Sequence, residues 1–445
     1  MLSLVDILKS ANDTKGLMLG IGVIDKVGEF FKEQFPRQKV IVVADSTTYD
    51  VAGKTVEENL KQAGIEQYPP FIYKTKDLYA EYSYVDELVE ALKKHKAIPV
   101  AVGSGTINDL TKLASYLTQR PYLCVATAAS MDGYTAFGAS ITADGAKQTF
   151  NCPAPQACLA DIDIIRKAPQ KMTSSGYADL FAKITAGADW ILSDMLGIEA
   201  IDEQPWSIVQ DGLHESLADP EGVRNEDVKT ISTLTNGLIM SGFAMQCSKS
   251  SRPASGAEHQ FSHLWNMEHH LNNGEMVFHG FQVAIGTLSV LALYEEFLNH
   301  PIMELDIQAC CEVWPTEDEL AQEALAIFKG TDFPEIGLQE TKAKYISKTE
   351  LAGQLQLLKD RWPEIKRRLT AQLIPFEEAK KRLKLVGAPT EPEEIGISRN
   401  YLRQSYVKAQ YIRRRFTILD IAVRTNCMGQ WLDKLFGENG VWGIK

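Results

Sequence analysis

The sequence predicts two domains, an α/β domain with a parallel sheet in residues 1–168 and an all-α domain in residues 169–445. Three observations support this prediction. The chain of 445 residues is about three times as long as a typical domain. In its first third, short β-rich runs alternate with helical patterns, which is typical of a parallel sheet with right-handed helical crossovers. From about Pro169 onward, apolar residues at helical spacing dominate to the end.

The elements of the first domain follow one another in a regular order. Residues 39–44 (KVIVVA) form a continuous apolar run of the kind found in buried strands, and a helical pattern that ends in a glycine follows at 51–64. The order continues with a helix at 85–96, a strand at 97–102, a helix at 107–120 and a strand at 121–127. This alternation predicts a Rossmann-like domain, in which ligands bind at the carboxyl ends of the parallel strands.

Two further stretches differ from this pattern. Between about 130 and 165 the alternation breaks up, and a segment rich in Gly, Ala, Ser and Thr (TAASMDGYTAFGAS) predicts loops and a hairpin. In the second domain, long helical patterns at 177–194, 229–245 and 281–297 predict a nearly all-helical fold.

The composition disfavours several classes of protein. Hydrophobic residues make up 45% and charged residues 23%, which is ordinary globular usage, and a net charge of −12 disfavours nucleic acid as a partner. The seven cysteines include no CxxC pair, which fits a reducing compartment. Asp6 and Asp13 lie where a signal peptide would be apolar. The sequence also has no run of about 18 apolar residues, which a membrane-spanning helix would require. We therefore expect a cytoplasmic protein.

A candidate anion site follows the second predicted strand. Gly103, Ser104 and Gly105 link this strand to the next helix, and glycines let backbone N–H groups and the positive end of the helix approach a pyrophosphate. Because the full GxGxxG fingerprint is absent, an ordinary strand–helix turn is the alternative. Asp45, at the end of the first predicted strand, is placed either to accept hydrogen bonds from an adenosine ribose or to cap the helix that follows.

Five of the eight histidines lie in a stretch of 21 residues that begins at His259, and such clustering indicates metal or proton chemistry. His259 and His263 are four residues apart, so a helix would place them on one face. The interval to His279 leaves room for a helix, a turn and the start of a second helix. At that helix N-terminus the imidazole would stay neutral and able to bind a metal. Plain buried histidines are the alternative for His259 and His279.

Asp179 is the candidate acidic ligand. It lies in a segment with an apolar stripe at helical spacing, in which Ser174 or Ser175 is placed to cap the helix. An ordinary pair with Lys183, four residues later, is the alternative, and spacing alone does not decide between a metal ligand and this pair.

Five motifs occur in one order along the chain and carry a resemblance to a known family. They are GSGTINDLTK, TAASMDGYTAFGAS, GYADLFAK, SRPASGAEHQFSH and HGFQVAIGT. In this order and spacing the chain resembles the sn-glycerol-1-phosphate dehydrogenases, relatives of glycerol dehydrogenase and dehydroquinate synthase within the iron-containing alcohol dehydrogenase group. The resemblance extends from about residue 20 to beyond residue 420, and it implies a dehydroquinate synthase-like fold.

The resemblance also implies roles for individual residues. The implied dinucleotide site consists of Gly103, Ser104, Gly105 and Asp109, continued by Thr127 and Ser130, with Asp45 as the ribose candidate. The implied metal ligands are Asp179, His259 and His279. The implied catalytic residues are Asp132, Asp179 and His263, and these three with Arg252 are the implied substrate-binding residues.

The implied enzyme is an NAD(P)-dependent oxidoreductase that acts on a CH–OH group. A divalent metal (Zn, Ni or Fe) would polarise the carbonyl of dihydroxyacetone phosphate, a small phosphorylated triose, and NADH or NADPH would deliver hydride. The product would be sn-glycerol 1-phosphate, formed reversibly in the interdomain cleft. Arg252 is the candidate phosphate ligand, with a solvated surface charge as the alternative, and Asp45 would favour NAD over NADP. The family also suggests a homodimer or a higher homo-oligomer.

Two other functions compete with this one. A dehydrogenase of glycerol or another polyol, or an enzyme that cyclises a sugar phosphate, would keep the fold and the metal site. A nucleotide-binding protein without activity would keep only the fold, and the presence of all three implied metal ligands argues against it.

Overall fold

The computed structural model describes residues 4–75, 78–143 and 146–443. The chain divides into two compact units. The first unit consists of residues 1–180 and 203–253, and the second consists of residues 181–202 and 254–445.

The first unit is built on a six-stranded parallel sheet, which confirms the predicted fold class. Its strands are β1 (Gly16–Gly20), β2 (Val40–Asp45), β3 (Phe71–Tyr73), β4 (Ile98–Gly103), β5 (Leu123–Ala126) and β8 (Ala157–Asp161). They lie in the order β1–β8–β5–β4–β2–β3, and every neighbouring pair is parallel. The three strands predicted from apolar runs are β2, β4 and β5. Their residues Val42, Val100 and Val125 are buried in the core, as continuous apolar strands of a parallel sheet should be.

Helices connect these strands and complete the first unit. They are α1 (Leu4–Ser10), α2 (Val27–Gln34), α3 (Ser46–Thr48), α4 (Lys54–Gln62), α5 (Tyr82–Leu92), α6 (Gly105–Leu117), α7 (Ile162–Ile165), α8 (Gln170–Phe181), α10 (Glu203–Gln210), α11 (Leu213–Ser216), α12 (Pro220–Arg224) and α13 (Val228–Ser248). Because all six strands are parallel, their carboxyl ends lie along one edge of the sheet, where this type of fold binds its ligands. Asp45 at the end of β2 and Gly103 at the end of β4 both lie at this edge.

The stretch between 130 and 165 contains the predicted hairpin, formed by β6 (Ala139–Ala143) and β7 (Ala146–Phe150), which pair antiparallel. It also contains β8, which the sequence analysis does not predict. The β8 sequence ACLAD is only five residues long and contains no β-branched residue, so it lacks the continuous Val- and Ile-rich run that marks β2 as a strand.

The second unit is helical apart from one short hairpin in its described residues, as predicted. Its helices are α9 (Lys183–Met195), α14 (Ala257–Met267), α15 (His279–Asn299), α16 (Ile307–Val313), α17 (Glu317–Ile327), α18 (Pro334–Lys344), α19 (Lys348–Asp360), α20 (Trp362–Gln372), α21 (Phe376–Val386), α22 (Arg399–Ala409), α23 (Ile418–Arg424) and α24 (Met428–Phe436). The hairpin strands β9 (Leu271–Asn272) and β10 (Glu275–Met276) lie between α14 and α15.

The helices α14 and α15 approach each other closely. A Cβ atom at Gly286 of α15 would lie 2.4 Å from the carbonyl oxygen of Glu258 in α14, which is too short for any side chain. Glycine at this position therefore permits the two backbones to come together.

One helix of the described residues, α15, is long and apolar enough to cross a membrane. However, 78% of its apolar window is buried inside the protein. Burial of this kind is typical of a core helix, since a helix that is hydrophobic on all sides packs in the interior of a large protein.

The division into units differs from the predicted boundary at residue 168. The helices α8 and α10–α13, which the sequence analysis places in the helical domain, belong to the first unit up to Leu180 of α8. A Cβ atom at Gly176 of α8 would lie 2.0 Å from the carbonyl oxygen of Ala129, in the segment after β5. Helical periodicity shows that a helix has a buried face but not which partner covers it, so the boundary between the two units does not follow from the helical pattern.

Candidate metal centre and cofactor site

Three ligand-type side chains come together from α8, α14 and α15. Asp179, His259 and His279 each offer one ligand atom, and these atoms all lie within 4.8 Å of one another. Asp179 and His259 are buried, and His279 is half-buried. Two imidazoles and one carboxylate leave coordination positions open, and this donor set fits a catalytic divalent metal such as Zn²⁺, Ni²⁺ or Fe²⁺. The structure thus brings together the three residues that the sequence analysis selects as ligands.

The helices α14 and α15 set the positions of the histidines. α14 carries His259 and His263 one turn apart, and the centroids of their rings are separated by 6.2 Å. α15 begins at His279, so this residue lies at a helix N-terminus as predicted. The ring centroids of His259 and His279 are 5.3 Å apart.

A buried carboxylate orients the His259 ring. Nδ1 of His259 lies 2.8 Å from Oε1 of Glu258, and Glu258 is fully buried. The same carboxylate accepts hydrogen bonds from the backbone N–H of Gly256 at 2.6 Å and from the Thr185 hydroxyl at 2.8 Å. Burial by itself raises the pKa of Glu258, but the hydrogen bonds from His259 and from the backbone N–H of Gly256 lower it overall. Because Nδ1 faces this carboxylate, Nε2 is the ring nitrogen that can face a metal.

A hydroxyl group has the corresponding role for His279. Oγ of Ser262 lies 3.3 Å from Nδ1 of His279 and donates to Oε1 of Gln282 at 2.8 Å. A hydroxyl has a single hydrogen, so Ser262 is an acceptor toward the imidazole. The hydrogen of a neutral His279 then lies on Nδ1, and Nε2 carries the lone pair that a metal needs.

The loop after β5 contacts the acidic ligand. The backbone N–H of Asp132 donates to Oδ2 of Asp179 at 3.1 Å. Oδ2 of Asp132 in turn accepts a hydrogen bond at 2.8 Å from the hydroxyl of Ser241 on α13. Asp132, a predicted substrate-binding residue, therefore lies directly against a predicted metal ligand. No sequence motif marks Ser241, because only the packing of α13 on this loop brings its hydroxyl to Asp132.

A buried lysine holds the same loop. Lys112, on α6, donates three hydrogen bonds from its ammonium group to backbone carbonyls. The acceptors are Gly133 at 3.0 Å, Ala136 at 2.9 Å and Gly138 at 2.9 Å. The Lys112 side chain is fully shielded from solvent, and its Nζ lies 3.7 Å from Oδ1 of Asp109. This role is not predicted from the sequence, since nothing in the helical pattern distinguishes Lys112 from a surface lysine.

The predicted anion cradle lies at the start of α6. Gly103 ends β4, Ser104 is the N-cap residue and Gly105 is the first residue of the helix. The Ser104 side chain makes no capping hydrogen bond, so it does not compete with an anion for the first-turn N–H groups of α6. A Cβ atom at Gly103 would lie 2.6 Å from Cβ of Ile107, so glycine is needed for the helix to start this close to the strand.

Two predicted cofactor residues lie next to this cradle. The backbone N–H of Thr127 donates to the carbonyl oxygen of Gly103 at 3.1 Å, which places Thr127 beside the cradle. Oδ2 of Asp109 accepts from the backbone N–H of Ser140 at 3.2 Å, so this carboxylate also anchors the β6–β7 hairpin.

Ser130 and Asp45 complete the predicted cofactor set. Ser130 is buried, and its carbonyl oxygen accepts from the Ser175 hydroxyl at 3.2 Å. Asp45 caps α3, because its Oδ1 accepts from the backbone N–H of Thr48 at 2.8 Å. Asp45 therefore has the capping role considered for it, and it also lies at the ligand-binding edge of the sheet.

The two remaining predicted substrate residues differ in exposure. Arg252 is only 2% exposed, so it is not the solvated surface charge considered as the alternative. Its backbone N–H donates to Oγ of Ser250 at 3.1 Å. His263 is half-buried, one turn after His259.

Comparison with known proteins shows the class of protein to which this fold belongs. Residues 18–169 match the family model of the iron-containing alcohol dehydrogenases. Glycerol dehydrogenase from Schizosaccharomyces pombe aligns with a TM-score of 0.59 at 15% identity, over 95% of this chain and 90% of that one. NADH-dependent butanol dehydrogenase A from Thermotoga maritima aligns with a TM-score of 0.55 at 16% identity, over 94% and 96% of the two chains. The fold is that of the iron-containing alcohol dehydrogenases.

Curated relatives narrow this class to a family. Glycerol-1-phosphate dehydrogenase [NAD(P)+] from Halalkalibacterium halodurans is 36% identical over 281 residues, which is 63% of this chain and 70% of the relative. The protein of the same name from Bacillus subtilis is 30% identical over 337 residues, which is 74% of this chain and 85% of the relative. The chain belongs to the glycerol-1-phosphate dehydrogenase family. This confirms the resemblance carried by the five motifs.

Proposed function

We propose that this protein catalyses the metal-dependent reduction of dihydroxyacetone phosphate to sn-glycerol 1-phosphate, and the reverse reaction. As a member of the glycerol-1-phosphate dehydrogenase family it is an NAD(P)-dependent oxidoreductase. The observation that carries the proposal is the group formed by Asp179, His259 and His279, with Asp132 against Asp179.

The proposed ligands have complementary tasks. A divalent metal held by them would polarise the substrate carbonyl for hydride transfer from the reduced nicotinamide. Asp179 supplies the negative charge of the site. His259 and His279, with their hydrogens held on Nδ1, present neutral Nε2 atoms. His263, one turn from His259, donates the proton to the substrate oxygen.

Other residues bind and orient the two reactants. The N-terminus of α6, which begins at Gly105, binds the pyrophosphate through backbone N–H groups and its positive dipole. Asp132 binds a substrate hydroxyl, and Ser241 fixes the carboxylate that does so. Arg252 pairs with the substrate phosphate, for which a guanidinium offers bidentate geometry. Holding the reactants in one geometry supplies a large part of the rate enhancement.

The proposal is tested by following NADH oxidation by metal-reconstituted protein. We expect turnover with dihydroxyacetone phosphate and none with dihydroxyacetone. Removal of a residue that only hydrogen-bonds to a metal ligand reduces activity by up to about 100-fold. His279→Ala removes a ligand itself, so it should reduce the rate by more than about 100-fold. His214→Ala, which changes an exposed histidine of α11, is the matched control and should retain the wild-type rate.

Two results would contradict this proposal. Equal turnover of the phosphorylated and unphosphorylated ketones would favour a polyol dehydrogenase instead. A His279→Ala variant with the wild-type rate would contradict the metal-ligand assignment.

A second prediction concerns the choice between NADH and NADPH. Asp45→Asn should raise the use of NADPH relative to NADH by about tenfold in kcat/KM, because the carboxylate at the end of β2 repels a ribose 2′-phosphate. Asparagine keeps the cap on the Thr48 N–H, so α3 should stay intact. Asp50→Asn, at an exposed carboxylate paired with Lys54 at 2.7 Å, is the control. An unchanged cofactor ratio in Asp45→Asn would place the ribose elsewhere.

A further inference from the structure

We propose that Glu258 is a positioning residue for the metal: its carboxylate holds the His259 imidazole in the orientation that binds the ion and strengthens the affinity of the site for it. This inference rests on the proposed ligand role of His259. It does not depend on which substrate the enzyme reduces.

The contact between Glu258 and His259 is unusual for neighbouring residues of a helix, since residues one apart ordinarily point to different faces. Glu258 lies in the first turn of α14, and its side chain turns back toward the N-terminus of the helix. There Oε1 accepts the backbone N–H of Gly256 at 2.6 Å and lies 2.8 Å from Nδ1 of His259. One carboxylate oxygen therefore serves both the start of the helix and the metal ligand.

The surrounding residues leave this carboxylate a single position. A Cβ atom at Gly256 would lie 2.9 Å from Oε2 of Glu258 and 2.5 Å from Oδ2 of Asp189, so glycine provides the space that the two carboxylates occupy. The Thr185 hydroxyl, on α9, lies 2.8 Å from Oε2 of Glu258 and 2.9 Å from the carbonyl oxygen of Ala182, and it shares its single hydrogen between these two acceptors. Both oxygens of Glu258 are thus engaged by donors, and its orientation toward His259 is fixed.

The two histidine ligands have partners of different charge. His259 faces the carboxylate of Glu258, whereas His279 faces the hydroxyl of Ser262. A carboxylate raises the basicity of an imidazole more than a neutral hydroxyl does, because the hydrogen bond between them is charge-assisted. Removal of the Glu258 charge should therefore weaken metal binding more than removal of the Ser262 hydroxyl.

The test uses Glu258→Gln in the full chain, because glutamine keeps the size of the side chain and removes its charge. We expect the Kd for Zn²⁺, measured by competition with a chromogenic chelator, to rise by about 10- to 100-fold. The absorption bands of the Co²⁺-loaded variant should also shift, since His259 becomes a weaker ligand. Ser262→Ala should raise the Zn²⁺ Kd by a smaller factor.

Asp189→Asn is the matched control. Asp189 is the second buried carboxylate at the start of α14, where its Oδ2 accepts from the backbone N–H of Ala257 at 2.7 Å. Burial and the neighbouring Glu258 carboxylate raise the pKa of Asp189 to about 7, and asparagine keeps the size of this side chain while it removes the charge. This variant should leave the Zn²⁺ Kd and the Co²⁺ spectrum unchanged.

The outcomes separate this inference from the proposed function. A folded Glu258→Gln protein with the wild-type Zn²⁺ Kd and Co²⁺ spectrum overturns the role of Glu258 alone. The role is also overturned if Asp189→Asn weakens Zn²⁺ binding as much as Glu258→Gln does. The loss of affinity would then come from a disturbed N-terminus of α14 and not from the contact between Glu258 and His259. A wild-type protein that binds neither Zn²⁺ nor Co²⁺ overturns the metal assignment itself. If the enzyme reduces a substrate other than dihydroxyacetone phosphate, the comparison of Zn²⁺ Kd values between the variants and the wild type still holds.

Discussion

Asp179→Asn is expected to leave the protein folded but unable to retain a divalent metal, and to reduce turnover by more than about 100-fold. Asp179 is the one carboxylate of the proposed ligand group, and an amide oxygen carries no charge to offset that of the ion. Loss of a direct ligand should exceed the ~10- to 100-fold effects of outer-shell changes. Asparagine keeps an oxygen that can accept the Asp132 N–H, so the loop contact should survive.

The measurement for Asp179→Asn is the metal content of the purified protein after gel filtration, together with NADH oxidation and thermal unfolding. Asp194→Asn is the control, because this carboxylate of α9 is partly exposed and pairs with Arg368 at 3.1 Å. It should retain the wild-type metal content. Full metal occupancy in Asp179→Asn would remove Asp179 from the ligand group.

Lys112→Met is expected to have the largest effect on stability. The substitution removes three hydrogen bonds from a buried ammonium group and leaves three loop carbonyls without this donor. The Gly133 carbonyl keeps the side-chain amide of Asn108 as a donor, whereas the Ala136 and Gly138 carbonyls lose the ammonium group. Each buried acceptor that loses its partner costs ~1–3 kcal/mol, so the free energy of unfolding should fall by about 2 kcal/mol or more. The KM for the substrate should also rise, because the released loop carries Asp132.

Urea unfolding and initial-rate kinetics measure these two effects. Lys171→Met, at an exposed lysine of α8, is the control and should change the free energy of unfolding by less than about 0.5 kcal/mol. If Lys112→Met unfolds at the wild-type urea concentration, the carbonyl contacts do not stabilise the loop.

The sequence predicts three of the four interior strands of the sheet, and it misses β8 and the two edge strands for a physical reason. β2, β4 and β5 are continuous apolar runs because helices and neighbouring strands bury them from every side. β1 (GLMLG) and β3 (FIY) lie at the two edges of the sheet, and they are short and only partly buried. A short run without strong β-branched character does not differ enough from a loop to be recognised.

The candidate site shows a similar limit. The spacing of His259 and His263 predicts one helix face, but Asp179 enters the ligand group only through a family motif, since its helical pattern equally allows a surface pair. Glu258 precedes His259 in the sequence, and a carboxylate next to a candidate ligand is a signal that could have identified it. Lys112 and Ser241 carry no such signal, because their partners lie about twenty and one hundred residues away in the chain.

The close packing that glycine permits at position 286 affects how the enzyme acquires its metal ion. Because α15 lies directly on the backbone of Glu258, helix packing places the rings of His259 and His279 side by side. Their relative position is therefore set during folding, which lowers the ordering cost when an ion arrives. A chelator-stripped protein should then keep its shape and accept a replacement ion. Which of several divalent ions it carries in a cell would follow their supply.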